Sequence, residues 1–381
     1  MMRKELIFSA VLASACYIVA DTLPDGNRMI INHNDGRTEV MVVDSIESMT
    51  FITIPESKAL ISVTSNDDAS VQGTVDMTAG CKRYQVVCEK AADWQEITDA
   101  EKHIMANHTI ESETPGFIDF IDLDPSTEYT IATLSYDEYD LPCEVMTQNF
   151  TTSAPEKCGP AHVGDFLYRD GTWSSELKRT KTPVGIVFST TLTEADKALG
   201  YQHGYAVAFK EIPSIDWTVE ADENESGATF SSANDGDVND QEGLSHTLEL
   251  LKNADVHPAA RLTREYAPAP EGTSGWFIPS TGQMIDIFCN LGGIERDAYT
   301  RSASGVAEWS MEDGAAAISA LNARFAVAGE NNFTPVSTYT WTSTERSVMA
   351  TYYIYAHPNY NLSIQSYNKD SKFAVRPVIA F

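Results

Sequence analysis

Few residues in this chain have the spacing that bond-making chemistry demands, and the acidic run around Asp235 is the first to test. In "DENESGATFSSANDGDVNDQE", Asp235, Asp237 and Asn239 alternate as the first oxygen ligands of an EF-hand do. The place where that loop turns on glycine holds Asp240, and its closing place holds His246 instead of glutamate. The run therefore reads as a solvated insertion loop. The eight histidines form no HExxH and no close pair, and neither GxSxG nor a glycine-rich phosphate loop occurs. Six cysteines (Cys16, Cys81, Cys88, Cys143, Cys158, Cys289) show no CxxC and no metal-ligand spacing, which reads as small buried thiols with room for one bridge. No metal, no cofactor and no enzymatic activity are expected.

What the chain does concentrate is tyrosine. Residues 352–369, "YYIYAHPNYNLSIQSYNK", hold five of its sixteen tyrosines with three asparagines and two serines. Tyrosine offers broad amphipathic contact at low entropy cost, while Asn and Ser adapt their hydrogen bonds, so the mixture suits non-covalent recognition. The plain alternative is a tyrosine-rich antiparallel sheet with a polar outer face. Leu362 and Ile364 alternate with polar neighbours and read as core-facing, and Trp173 and Trp341 read as core.

Such a surface needs a scaffold, and 381 residues with 43% hydrophobic content predict two or three domains. Against 55 acidic residues stand 26 basic ones, a formal charge of −29 that would repel a phosphate backbone, so no nucleic-acid partner is expected. The start, "MMRKELIFSAVLASAC", pairs Arg3 and Lys4 with a short apolar run, as an export signal over residues 1–20 would. "LASAC" reads either as a lipobox that anchors Cys16 in the outer membrane or as a peptidase site that leaves it free. Both readings take the mature chain out of the cytoplasm.

Residues 21–56 read as a small β-rich segment, with strands around Asp35-Gly36 and a further run in "SIESMTFITI". From 57 to 152, short strands between polar turns ("ALISVTS", "SVQGTVDM", "RYQVVCE", "FIDFI", "EYTIATLSY", "EVMTQNFTT") predict an all-β sandwich without long helices. Pro, Gly and small residues at 153–162 read as a linker. Beyond it, "VGDFLYRDGTWS" predicts a hairpin turning at Asp170-Gly171, and "SHTLELLKNADVHPAARLTREYA" a helical stretch interrupted at Pro258. Ser280 and Gln283 have capping-box spacing, and Met284, Ile287, Phe288 and Leu291 share one apolar face, which predicts a helix ending at Gly292-Gly293. "EDGAAAISALNARF" predicts another, with Ile318, Leu321 and Phe325 inward.

Two resemblances follow from these motifs. In "LDPSTEYTIATLSY", Leu123, Pro125, Thr127 and Tyr129 resemble the tyrosine corner of fibronectin type III domains, which implies a spacer module at 57–152. The order of "VGDFLYRDGTWS", "PVGIVFS", "GWFIPSTGQM", "YTWTSTE" and "FAVRPVIAF" resembles the α+β C-type lectin-like fold over residues 163–381. "DSIESMTF" resembles a segment of surface lipoproteins of Gram-negative gut anaerobes. Within the lectin-like group the chain is most similar to the variable ligand-binding proteins of diversity-generating retroelements, whose binding surface lies ahead of a final strand. That resemblance implies a variable stretch at 346–372. Adenine-directed change of Asn-type codons yields Tyr, Asn, Ser, His and Asp, which Tyr353, Tyr355, His357, Asn359, Tyr360, Ser363, Tyr367, Asn368, Asp370 and Ser371 fit. Gln365, Lys369 and Lys372 do not fit and are expected to be fixed, while Arg346 and Ser347 are expected to border the surface.

The EPN, QPD and WND motifs of calcium-dependent animal lectins are absent. The expected protein is a secreted, lipid-anchored cell-surface binder of an external protein or glycan. A fimbria-associated adhesin component is the first alternative, and a formylglycine-generating-type enzyme with a reactive Cys289 the second. Replacing Tyr353, Tyr355 and Tyr360 together by Ala is expected to abolish binding at nearly unchanged melting temperature.

Overall fold

The structure, a computed structural model, describes residues 17–23, 26–32, 36–42, 55–220, 237–301, 307–329, 338–356 and 361–381. Cys16, most of the acidic loop and the "SIESMTFITI" strand lie outside them. The chain divides into two compact units, Met1–Glu56 and Ser57–Phe381. In the first, β1 (Tyr17–Leu23), β2 (Gly26–Asn32) and β3 (Thr38–Val42) form an antiparallel sheet in that order. β1 begins directly after Cys16 and takes in the last four residues of the segment read as a signal.

The second unit opens with a sandwich. Its strands are β4 (Ala59–Asn66), β5 (Val71–Met77), β6 (Arg83–Lys90), β7 (Ile110–Ser112), β8 (Gly116–Phe120), β9 (Glu128–Tyr136) and β10 (Pro142–Thr151). They make two sheets, β4-β5-β8 and β10-β9-β6-β7, with antiparallel pairing throughout. β5 shows the period of two that forms such a layer: Val71, Gly73 and Val75 point inward while Gln72 and Asp76 face solvent. Val71, Val75, Tyr84, Val86, Ile118 and Ile131 fill the space between the sheets.

β9 departs from that alternation, being buried from Tyr129 to Tyr136. Two helices absent from the sequence reading account for this: α1 (Ala91–Glu96) and α2 (Ala100–Asn107). Ile104 packs with Val87, Ala132, Leu134 and Tyr136 on the sheet's second face. Asp99 caps α2 by accepting the Lys102 N–H at 3.1 Å. The expected corner is present too, since the Asp124 N–H donates to the Tyr129 hydroxyl at 2.8 Å and Tyr129 stacks on Phe150.

Residues 153–162 carry no regular element, yet they are held at several points. The Glu156 N–H donates to Asp68 Oδ2, and Trp173 Nε1 donates to the Gly159 carbonyl. Lys181, with a side chain 2% exposed, pairs with Asp68 at 2.9 Å and Asp170 at 2.7 Å. Asp122 accepts the Thr182 N–H at 2.6 Å. The sandwich and the residues beyond it therefore meet through a buried polar joint.

Past the joint come β11 (Phe166–Tyr168), β12 (Trp173–Ser174), β13 (Pro183–Ser189), α3 (Glu194–Ala198), β14 (Tyr205–Ala208) and β15 (Ile212–Asp216). Then follow α4 (Gly243–Leu250), α5 (Pro258–Arg264), α6 (Thr281–Asn290), β16 (Thr300–Arg301), β17 (Ala307–Glu308) and α7 (Met311–Val327). The chain closes with β18 (Tyr339–Ser347), β19 (Ala350–Ala356), β20 (Leu362–Asn368), β21 (Lys372–Val375) and β22 (Val378–Ala380). One sheet runs β12-β11-β13-β14-β22, so the last strand returns beside early ones; the other runs β15-β21-β18-β19-β20-β17-β16.

Local signals explain the helices. Pro258 occupies the first turn of α5, where its missing N–H costs nothing, so it begins a helix after the break. Ser280 and Gln283 form a complete capping box on α6, and Gly293 leaves it with φ of 82°. Ile318, Leu321 and Phe325 of α7 are buried beside Met284, Ile287 and Phe288 of α6. Trp341 is fully buried, as expected; Trp173 is only half-buried, against His203 and Phe381.

Candidate functional site

The seven-stranded sheet has one face in the core and one that is partly open. Tyr352, Ile354, Ala356, Leu362 and Ile364 point toward α6 and α7. The opposite parity carries Tyr353 and Tyr355. Register sets their neighbours: Trp341 lies opposite Tyr353, Tyr339 opposite Tyr355, and Gln365 and Ser363 follow on β20. Phe373 joins from β21, with ring centroids 4.2 Å from Trp341, 4.8 Å from Tyr353, 5.1 Å from Tyr339 and 5.8 Å from Tyr367. α4 and α5 cover only part of this face, through Leu250, Ala259 and Ala260 beside Trp341. Exposure is therefore graded across the rings: 0% at Trp341, 6% at Tyr353, 44% at Tyr339 and 53% at Tyr367.

The expected site residues separate along that gradient. Tyr367, Asn368, Asp370 and Arg346 are exposed, and Tyr355, Ser347 and Ser371 are half-buried. Arg346 donates to the Ser366 hydroxyl. His357, Asn359 and Tyr360 lie outside the described residues. Two expectations need correction. Ser363 is completely buried and accepts from Gln365 Nε2 at 3.0 Å, so no ligand reaches it. Tyr353 is a core ring whose hydroxyl donates to Gln365 Oε1 at 2.7 Å; burial, then its tyrosine neighbours, hold that phenol up to about 12. At about 3.3 Å per residue, β18 places Tyr339 roughly 23 Å from Arg346. The polar candidates thus gather toward one end of the strands, and Tyr339, Tyr355 and Phe373 toward the other.

Tyr339 and Phe373 were missed by sequence reasoning. Tyr339 had a usable signal, since it alternates with Trp341 in "YTWTSTE"; Phe373 sits in a short strand, where only pairing beside β18 reveals it. A buried ion pair was missed as well. Lys369 and Glu345 are both fully buried, with Lys369 Nζ bonded to Glu345 and 4.8 Å from the centre of the Trp217 ring. The N–H groups of Trp217 and Thr218 donate to the Lys369 carbonyl. Beside them, His257 is 3% exposed, and burial followed by the Lys369 charge pushes its pKa down.

One trio has the residue types of a nucleophilic relay. Ser343 Oγ lies 3.1 Å from His246 Nδ1, and Asp240 Oδ2 lies 3.7 Å from the same nitrogen. A relay needs the two ring nitrogens to serve different partners, whereas Ser343 and Asp240 both face Nδ1, and Ser343 and His246 are buried, so the trio reads as packing. Cys289 is half-buried, with its thiol pushed up to about 11 by burial, the opposite of an activated nucleophile. Cys81, Cys88, Cys143, Cys158 and Cys289 are unbridged. Among the described residues, no group of three or more His, Cys, Asp or Glu could hold a metal ion, and no helix is long and apolar enough to cross a membrane.

No family model matches the chain, and no curated protein matches it. Among solved structures, it is similar to a fimbrial protein from Bacteroides ovatus, at 15% identity over 78% of this chain and 64% of that one, with a TM-score of 0.42. The match therefore spans less than two thirds of the fimbrial protein's length. The sensor domain of the anti-sigma factor RsgI4 from Pseudobacteroides cellulosolvens shares 15% identity over 27% of this chain and all of its own, at a TM-score of 0.19. Fibronectin(III)-like modules of CbhA from Clostridium thermocellum share 11% over 40% of this chain and 70% of theirs, also at 0.19. Below a TM-score of 0.5, none of these similarities carries an argument about function.

Proposed function

We propose that this protein is a cell-surface binder that recognises an external protein or glycan through the open face of its seven-stranded sheet. The observation that carries the reading is the ring group Tyr339–Tyr355–Phe373–Tyr367, left partly exposed on a sheet whose other face is fully packed. An exposed aromatic group costs solubility unless something covers it in use. Exposed Arg346, Asn368 and Asp370 supply the adaptable polar rim that such surfaces need.

The scaffold reading is a C-type lectin-like domain carried on a fibronectin type III-like spacer. Support comes from the pairing of β22 with β14, the two core helices α6 and α7, and the corner at Tyr129. The basic-then-apolar start supports export, with Cys16 as the lipid anchor on the outer membrane. A net charge of −29 and the lack of an activated nucleophile among the described residues support binding without catalysis and without nucleic acid.

The test is a binding screen of purified protein against arrayed glycans and surface proteins, with Tyr339→Ala/Tyr367→Ala in parallel. At least one ligand should lose tenfold or more in affinity in the variant, with both proteins melting within a few degrees of each other. Equal binding of wild type and variant across every captured ligand would sink the proposal. Retroelement diversification is tested separately, by sequencing codons 346–372 in a population grown from one cell. Changes are expected at Tyr355, Tyr367, Asn368 and Asp370; an invariant stretch rejects it.

A further inference from the structure

A second concavity lies away from the open sheet face and shares no residue with it. A cavity of about 320 Å³ opens between the start of β13, the end of β14 and the loop after α5. That volume is at the lower end of the range of about 300–1,000 Å³ that small-ligand sites occupy. Pro183 and Tyr266 present half-buried rings to it, with Tyr266 packed edge to face at 5.3 Å on the fully buried Trp276 behind. Its charged lining residues are Arg169 and Lys210.

Two features specify an occupant. None of the ten lining residues is acidic, in a chain where acids outnumber bases 55 to 26. Lys210 is exposed and makes no ion pair among the described residues, and Arg169 has only a loose pairing with Asp122 at 3.7 Å. Two cations call for an anion, and the half-buried rings of Pro183 and Tyr266 for a flat partner.

We infer that this cavity binds a carboxylate-bearing ring of about monosaccharide size. Arg169 and Lys210 hold the carboxylate, and the ring lies against Tyr266 and Pro183. A sugar acid at the end of a glycan and an aromatic acid share this chemistry.

Saturation-transfer NMR and calorimetry on the full chain separate them, with D-glucuronate, benzoate and, as neutral control, glucose. At about 0.15 M salt the Debye length is about 8 Å, which screens the distant acidic surface while leaving the two local cations effective. A ligand of this size should bind with Kd on the order of 1 mM. Lys210→Glu should weaken binding tenfold or more, and Ala267→Trp, which fills the cavity, should abolish it. Binding of glucuronate alone assigns the site to a sugar acid, binding of benzoate alone to an aromatic acid, and binding of both to the shared carboxylate chemistry. The inference is overturned by no transfer to either acid at 10-fold the expected Kd (about 10 mM), by equal transfer to glucose, or by binding unchanged in Lys210→Glu. That exposed position keeps the test valid if Ala267→Trp fails to fold.

Discussion

Tyr353 is where burial and surface readings diverge most, and its substitution decides between them. The ring is 6% exposed, wedged between Trp341 and Phe373, and its hydroxyl is tied to Gln365 at 2.7 Å. Truncating a buried aromatic ring to Ala removes its transfer free energy and leaves a cavity, together about 3–5 kcal/mol. Tyr353→Phe removes one hydrogen bond and leaves Gln365 half-exposed to water, about 1 kcal/mol. Tyr367→Ala, at a position 53% exposed, should stay within about 0.5 kcal/mol. For a folding unit of roughly 200 residues, about 2–4 °C of melting temperature accompany each kcal/mol, so Tyr353→Ala should lower Tm by roughly 10 °C. Thermal melts and urea titrations of the three variants measure the order directly. If Tyr353→Ala costs less than about 3 °C, or Tyr367→Ala costs as much, the burial argument fails. The expected order also shows why joint substitution of Tyr353, Tyr355 and Tyr360 is no clean binding test: it would damage the core together with the surface.

Further perturbations address the interior beneath that face and the thiols. Lys369→Met leaves Glu345 charged and buried without its partner and should cost about 3–5 kcal/mol, whereas Lys369→Met/Glu345→Leu should recover most of it; a double variant as unstable as the single one would contradict the pairing. His257 has a pKa below its ordinary value in the folded chain, so the unfolded chain binds its proton first. Its stabilising contribution is complete above about pH 6.5 and falls as pH drops toward the folded value. Wild type should therefore lose more Tm between pH 7.5 and 5.5 than His257→Gln, and parallel losses would refute the assignment. Burial lifts the Cys88 thiol to about 12 and that of Cys289 to about 11, so exposed Cys143 should label far faster than either in the native protein. Rapid labelling of Cys289 would favour the enzyme alternative.

Local signals in the sequence reported local structure faithfully. The capping box at Ser280 and Gln283, the corner at Tyr129 and the inward parity of Leu362 and Ile364 all rest on contacts within a few residues or on the strand period. Tyr353 and Tyr355 show where such signals stop. They share one strand and one parity, yet Tyr353 is buried and Tyr355 half-open, because the elements that cover the first come from far away in the chain. No pattern within "YYIYA" carries that information. α1 and α2 were hidden for a related reason: Ile104 is the only residue of α2 that is buried, too little apolar periodicity to announce a helix.

The positions that do not fit an adenine-derived set now have physical work to do, at least in two cases of three. Gln365 holds the Tyr353 hydroxyl with one end of its amide and Ser363 with the other, so a shorter side chain would loosen both strands. Lys369 neutralises Glu345 inside the protein, and a Tyr, Asn, Ser, His or Asp there would strand that carboxylate. Lys372 is different: it is exposed and only 3.6 Å from Asp216, a surface pair that structure alone does not require. Their neighbours Tyr367, Asn368 and Asp370 point to solvent and carry no such duty. A sheet that confines its internal obligations to particular residues, here Gln365 and Lys369, can change the exposed ones without unfolding, and this is the physical condition any variable binding face must meet. The same logic places Tyr339, outside the candidate stretch but inside its ring group, as a constant contact against which altered neighbours would be read.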